Sequence, residues 1–447
     1  MERVRLQEVD CEYYHGMLPC GLRFCVVPRP GFRRTFAILG PRYGSVDNAF
    51  YGPHGDGPYM VPAGIAHFLE HKMFEKPTGH MFRRFAAAGA MCDAYTSYTY
   101  TGYVLSTAGD WRVPLRLLVE LVFDLHLTRE TVEKEKGIIE QEIRMVEDDP
   151  DTRAFEELMR CLYHRHPVRV PIAGTVADVR SLGVEQIELC HRTFYHPSNM
   201  WLSVAGPVDP QEVTELVQEL LEARGYRPQE PVRRLLPQEP EGVVRPQQTV
   251  RMSVGQPLCY LGFKDVPSTE QGESLWDQLA AVSIALDATL GPASDLYLSL
   301  YQEGLIDDTF QAHYEGEQSY AHLVIGASTP DPARLSDRLR EGLQRAVERG
   351  IDEGTFRRCI KAARGRFLRR LDPPFGPLAR LVFAFRHRGT DPMRALDRLA
   401  ALDISQVSSA LRRLVSRPLA AVWVLPRQRE AGAGPDAGSG FSGGSWA

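Results

Sequence analysis

Short runs of β-branched and aromatic residues alternate with longer runs of helical period along this chain. GLRFCVVPRP and TFAILGPRYGSVD, between Gly21 and Asp47, predict strands, and so does CDAYTSYTYTGYVLST at residues 92–107. Helical patterns follow near 111–127 and 129–148, the second rich in acid at its start and stopped at Pro150. On that second helix Glu135, Ile138, Ile139 and Glu142 recur at helical spacing and share one face. NMWLSVAG, ending at Gly206, predicts a further strand. Residues 226–248 then break the pattern, with prolines at 228, 231, 237, 240 and 246 and no helical period, and predict an extended linker. From Thr249 the order of elements repeats: a strand in RMSVGQPLCYLGFKDV, a helix in ESLWDQLAAVSIALDATLG, a strand in FQAHYEGEQSYAHLVIGAST, helices, and a last strand, LAAVWVLP. Residues 428–447 are Gly- and Ser-rich and are expected to be disordered. The pattern predicts an α+β protein with one domain at 1–225 and a second at 249–427.

Composition narrows this only slightly. A chain of 447 residues exceeds one compact core, which agrees with two domains. A net charge of −5 gives no reason to expect nucleic acid or an anionic membrane as partner. No apolar run reaches membrane-spanning length, and MERVRLQEVDCEYYHG has no hydrophobic stretch behind its charges, so no secretory signal is expected. The eight cysteines are scattered without a C-x-x-C pair. That argues against a disulfide scaffold or a thiolate metal site and favours a cytoplasmic setting.

The candidate chemistry lies in GIAHFLEHKMFEKPTG, residues 64–79. On a helix, His67 and His71 stand one turn apart on one face and can converge on one ion. Imidazole nitrogens suit zinc, and Glu70 lies beside that face, where a carboxylate can take a proton from water. H-x-x-E-H is the inverted form of the H-E-x-x-H zinc-peptidase motif. A third ligand must come from elsewhere. Glu135 and Glu142 are candidates, because a carboxylate on a helix face shared with isoleucines is costly unless it meets a cation.

With these residues in place, the chain resembles the pitrilysin-like inverzincin peptidases, the family of insulin-degrading enzyme and the mitochondrial processing peptidase. Their pattern is H-x-x-E-H followed some seventy residues on by a helix with E-(x)6-E, here His67, Glu70, His71, Glu135 and Glu142. The resemblance implies that His67, His71 and Glu142 bind zinc and that Glu70 is the general base. Glu135 joins the catalytic set as an outer carboxylate that orients a ligand. It also implies that Asp93, Ala94, Tyr95 and Thr96, in DAYTSYTYTGYVLS, lie on an edge strand to which a peptide adds. Asp93 stands where the family usually has Asn. The segments HPVRVPIAGTVADVRSLGVEQI and YHPSNMWLSVAGPVD resemble further family segments, so the likeness spans about residues 20–425. GIAHFLEHKMFEKP and LYQEGLIDDTF look closest to short bacterial members linked to aminopentanol modification of elongation factor P.

The implied fold is two similar α/β-sandwich halves, each a mixed, mostly antiparallel sheet with helices packed on it, together half of a four-domain clamshell. The implied activity is zinc-dependent hydrolysis of short or unfolded peptides in a closed chamber. The alternatives are a peptidase that matures one specific substrate and a non-catalytic subunit of the same fold. Family members often draw an Arg and a Tyr from the opposite half. In SDLYLSLYQEGLIDDTF, Asp295 stands near the Arg position and no Tyr follows Gly304-Leu305 at the expected place. The expected partner is therefore a second family subunit without the zinc motif, or a second copy of this chain.

Other residues carry plainer expectations. His164 and His166 predict a turn before Pro167, and His191 and His196 are read as structural. The Arg-rich run 357–370 predicts a solvated helix face, and Tyr95, Tyr98, Tyr100 and Tyr103 predict strand packing.

Overall fold

The computed structural model describes residues 1–6, 11–53, 55–268, 272–372 and 376–427. The expected disordered tail, 428–447, lies outside the described residues.

Two sheets organise the chain. The first contains β1 (Glu2–Leu6), β2 (Cys11–Met17), β3 (Arg23–Pro28), β4 (Thr35–Pro41), β5 (Ala90–Thr96), β6 (Thr101–Thr107) and β7 (Met200–Gly206), in the order β1-β2-β3-β7-β4-β6-β5. The second contains β8 (Gln247–Met252), β9 (Leu258–Asp265), β10 (Gln311–Gly316), β11 (Ala321–Ser328) and β12 (Leu419–Pro426), in the order β8-β12-β9-β11-β10. In the first half β7 runs parallel to β3, in the second β12 runs parallel to β8, and the other pairs are antiparallel. Strands β3-β7-β4-β6-β5 and β8-β12-β9-β11-β10 thus follow one topology, so the two halves are similar and mixed, as the sequence predicts. β1 and β2 extend the first sheet and have no counterpart in the second.

Several elements differ from expectation. CDAYTSYTYTGYVLST and FQAHYEGEQSYAHLVIGAST each form a hairpin of two strands rather than one strand, and RMSVGQPLCYLGFKDV holds the end of β8 and all of β9. The tight turn in the first hairpin is closed by the Ser97 N–H donating to the Tyr100 carbonyl at 2.8 Å. None of the four residues there is the Gly or Pro that usually marks a turn.

The helices bearing the candidate site are α1 (Ile65–Lys72) and α2 (Arg129–Glu147). The latter opens on a Thr128–Thr131 capping box. Two other helices cross between the halves. α3 (Pro150–Leu162) follows the first half's α2 but packs on β8, β9 and β12 of the second sheet. Gly262 on β9 makes room for it, since a Cβ there would stand 2.8 Å from Leu162 and 3.0 Å from Leu158. α5 (Gly376–His387), which follows α4 (Glu353–Arg370), packs on β4 and β7 of the first sheet. This exchange buries Ala154, Leu158 and Leu162 against Tyr260, Val422 and Val424, and Phe383 against Ile38 and Val104. Apolar burial is worth about 25 cal/mol per Å², so this reciprocal packing helps tie the halves together.

Residues 226–246 hold neither helix nor regular strand, yet they are pinned. Glu239 accepts from the backbone N–H groups of His164, Arg165 and His166 at 2.7 Å each, and the buried Lys264 ammonium donates to it at 2.7 Å. No helix among the described residues is long and apolar enough to cross a membrane.

Candidate metal and peptide site

Helix α1 begins at Gly64, whose φ of +81° favours glycine, and a Cβ there would also lie 2.2 Å from the Ala173 carbonyl oxygen. Ile65, Ala66, Phe68 and Leu69 sink into the first half's core and fix the helix's rotation. That rotation turns His67, Glu70 and His71 toward a cleft of ≈ 520 Å³, also lined by Ala94, Tyr95, Thr96, Tyr98, Glu142 and the 171–175 loop.

His67 Nε2 stands 3.5 Å and His71 Nε2 3.7 Å from the Glu142 carboxylate oxygens, and one ligand atom from each of the three lies within 4.8 Å of the others. Donors 2.0–2.1 Å from a tetrahedral zinc stand roughly 3.3 Å apart, so these separations suit a shared ion better than direct hydrogen bonds. The tautomer of His71 agrees. Its Nδ1 lies 3.0 Å from Glu135 Oε1, which leaves Nε2 as the lone-pair nitrogen facing Glu142. The residues present therefore fit a zinc ion.

Glu135 is itself held. Lys72, fully buried, places its ammonium 3.8 Å from Glu135 Oε2 while it pairs with Glu75 and donates to the Thr131 carbonyl at 3.2 Å. Burial would raise the Glu135 pKa, but the hydrogen bond to His71 and the charges of His71 and Lys72 outweigh it and hold the carboxyl below its ordinary value. Burial likewise opposes charge on His71, and Glu135, Glu70 and Glu142 overcome it to raise its pKa. Exchanging Glu135 for Gln removes the charge that orients His71. Zinc affinity of the chain, measured by competition with a chromogenic chelator, is expected to fall by about 10–100-fold. An unchanged affinity would sink that role.

Glu70 sits on the same wall, 8% exposed, and accepts from Thr96 Oγ1 at 2.9 Å. Burial is the main reason its pKa is pushed up to about 7, with Glu142 and Asp93 adding to it against His71 and the Thr96 hydroxyl. His67 moves the opposite way, to about 4, again chiefly through burial. A carboxyl and an imidazole with pKa values shifted in opposite directions in one cleft mark a candidate site for proton transfer.

The structure brings His67, His71, Glu142, Glu70 and Glu135 together, and it places Asp93–Thr96 beside them on β5. That strand ends the first sheet, and among the described residues it pairs only with β6. Ala94 and Thr96 face the core and Glu70, whereas Tyr95 turns to the other face, toward Phe383 and Ala379 of α5. Asp93 is exposed and accepts from the Ala94 N–H at 2.9 Å. Neither Lys72 nor the lining role of the 171–175 loop stands out in the sequence. A lysine at a helix end reads as a surface cation, and no local pattern tells that it is buried.

The plainer candidates lie apart from this cluster. His166 is 1% exposed and accepts from Val168 N–H at the turn before Pro167. His191 is buried against Tyr195. Arg357 and Arg366 of the Arg-rich run pair with Glu353 and Asp287.

Residues 60–176, which carry every candidate ligand, match the family model described as insulinase, peptidase family M16, and residues 181–363 match the one described as the peptidase M16 inactive domain. An uncharacterised zinc protease of Bacillus subtilis, YmfH, is 38% identical over 84% of this chain and 86% of its own length. The chain belongs to peptidase family M16. The crystal structure of an M16-like peptidase from Alicyclobacillus acidocaldarius superimposes with a TM-score of 0.90 at 39% identity, covering 95% of this chain and all of that one. An uncharacterised zinc protease of Mycobacterium leprae is 26% identical over 92% of this chain and 93% of its own. The two-sheet architecture agrees with half of an M16 clamshell. The Bacillus and Mycobacterium relatives are both called zinc proteases, and neither name refers to elongation factor P.

Proposed function

We propose that this M16 chain is a zinc-dependent endopeptidase acting on short or unfolded peptides. The carrying observation is the convergence of His67, His71 and Glu142 beside the buried Glu70, within reach of an edge strand. A zinc ion held by the three ligands would supply Lewis acidity, which polarises a carbonyl and makes water a competent nucleophile near neutral pH. The chain's own groups do the rest. β5 offers main-chain donors and acceptors that hold a peptide as an added strand. Glu70 takes the proton of the attacking water and returns it to the leaving amine. Thr96 Oγ1 keeps its carboxylate in place, and Glu135 keeps His71 in its ligating tautomer.

We further infer that this chain is the zinc-bearing subunit of a cytoplasmic dimer. Asp295, which is exposed and lies 3.8 Å from Arg349, is an acid where the family carries an Arg. A second copy, or a relative without H-x-x-E-H, would close the chamber. The purified chain loaded with zinc is expected to cleave a mixed peptide library, alone or after addition of such a relative. Cleavage should stop with a chelator and return with zinc. A chain that bound no zinc would instead favour the non-catalytic interaction subunit.

A further inference from the structure

Strand β5 divides two cavities, and Tyr95 lines both. On one side lies the cleft with His67, Glu70 and Glu142. On the other is an open recess of ≈ 390 Å³ formed by Tyr95, Tyr100, Leu381 and Ala384 with Arg370 and Arg380. The two arginines come from α4 and α5, the second of them a helix that crosses from the other half.

The cavities differ in charge. The first is rich in acid, with Glu142, Glu147 and Glu156, while its Arg160 is ion-paired to Glu156 and Glu157. In the second, both arginines are exposed. Arg380 lies over the Tyr95 ring at 5.0 Å, and neither arginine has a carboxylate partner among the described residues. Asp93, two residues back on the same strand face as Tyr95, keeps its negative charge and accepts from the Ala94 N–H, but forms no ion pair with either arginine. Nearby Arg366 is already paired with Asp287. The recess thus holds two arginines that, among the described residues, have no ion-pair partner, beside a strand edge that pairs on one side only.

Side chains of an added strand alternate between the two faces of a sheet. A peptide paired with β5 therefore sends every second side chain to the acidic cleft and the ones between to the arginine recess. We propose that Arg370 and Arg380 form a selectivity subsite for an acidic substrate side chain, Asp or Glu, adjacent to a residue that enters the metal-side cleft. This rests on the peptidase reading above for the placement of the peptide. The planar guanidinium forks suit a carboxylate bidentately, and Tyr95 fixes one of them.

Binding measured without turnover tests this. Fluorescence anisotropy would follow labelled decapeptides on the full chain in chelator, with Glu, Gln or Lys scanned through successive positions. The Glu peptide is expected to bind about tenfold more tightly than its Gln counterpart, the worth of one charge-assisted hydrogen bond, at positions of one parity only. Arg370→Gln/Arg380→Gln should erase the difference, and Arg370→Glu/Arg380→Glu should reverse it in favour of Lys. Both side chains are exposed, and a thermal melt of each variant checks that it folds. Equal binding of Glu and Gln peptides, a preference that survives both double variants, or no binding of any peptide overturns the proposal. Cleavage of the Gln peptide by the zinc-loaded chain is read separately. If it is cleaved but no acid preference exists, the subsite fails and the peptidase reading stands. If the acid preference exists but nothing is cleaved, the subsite stands and the peptidase reading fails.

Discussion

Exchanging Glu70 for Gln is expected to lower peptide turnover by about 10²–10⁴-fold, the usual contribution of a positioned general base, while zinc content stays unchanged. The geometry separates the two effects. The proposed ligand atoms belong to His67, His71 and Glu142, and Glu70 is not among them. Gln fills the same volume, and its amide oxygen can still accept from Thr96 Oγ1, so the local packing of α1 against β5 persists. Only the capacity to hold a proton is lost. KM should change little, because the proposed pairing of a peptide with β5 does not involve Glu70. Glu142→Gln should behave differently, weakening metal binding and turnover together. Metal analysis beside steady-state kinetics distinguishes the two. A Glu70→Gln enzyme that kept most of its activity, or one that lost its zinc, would show that the role is misassigned. Burial raises the Glu70 pKa to about 7. A cation at the neighbouring ligands favours the ionised form, so the acid limb of kcat/KM is expected below pH 7.

This chemistry is legible without a structure because its parts are local. His67, Glu70 and His71 sit within two turns of one helix, and Glu135 and Glu142 within two turns of another, so helical period alone puts each set on one face. What joins the sets is tertiary. The His71–Glu135 contact and the support of Lys72 depend on how α1 lies against α2, and nothing in either helix fixes that. The same limit hides the crossing of α3 and α5. An amphipathic pattern tells that a helix buries one face but not which sheet receives it. Gly262, a glycine inside a strand, is the kind of signal that hints at close backbone approach, though its partner helix lies about a hundred residues earlier in the chain. The hairpins read as single strands because Ser97–Tyr100 and Glu317–Tyr320 lack turn punctuation at the right place. The arginine recess beside Tyr95 is tertiary as well, since its charges come from the other half of the chain.

Metal-free protein is expected to lose stability steeply as pH falls from about 6.5 to 4, by roughly 10 kcal/mol or more in all, and so to unfold in mild acid. The cause lies in histidines outside the candidate metal site, to which His196 and His387, also depressed by burial, add in the same direction. His166 and His322 are 1% exposed and His191 is 9% exposed, and burial chiefly brings each pKa down to about 4. Their neighbours do not rescue the charged form. Glu239 favours a proton on His166, but Lys264 and His322 oppose it; Lys76 opposes one on His191 more than the Val122 backbone or Asp124 favours it; Glu315 favours one on His322, but His313 opposes it. Below pH 6.5 the unfolded chain takes up these protons and the folded chain does not, so stability falls as pH falls. Each shift of this size is worth about 3 kcal/mol, and three together rival the whole stability of a typical domain, about 5–15 kcal/mol. His67 and Glu70 do not alter the sum. His67, depressed to about 4, loses stability toward acid, while Glu70, raised to about 7, gains it over nearly the same window. Urea unfolding followed by tryptophan fluorescence across pH 4–7 should give a slope of at least three protons, about 4 kcal/mol per pH unit, at its steepest. His322→Gln should reduce that slope by about one proton. A stability that is flat across this window would mean that the three imidazoles reach solvent or a partner when charged, and the acid sensitivity argued from their burial would be wrong.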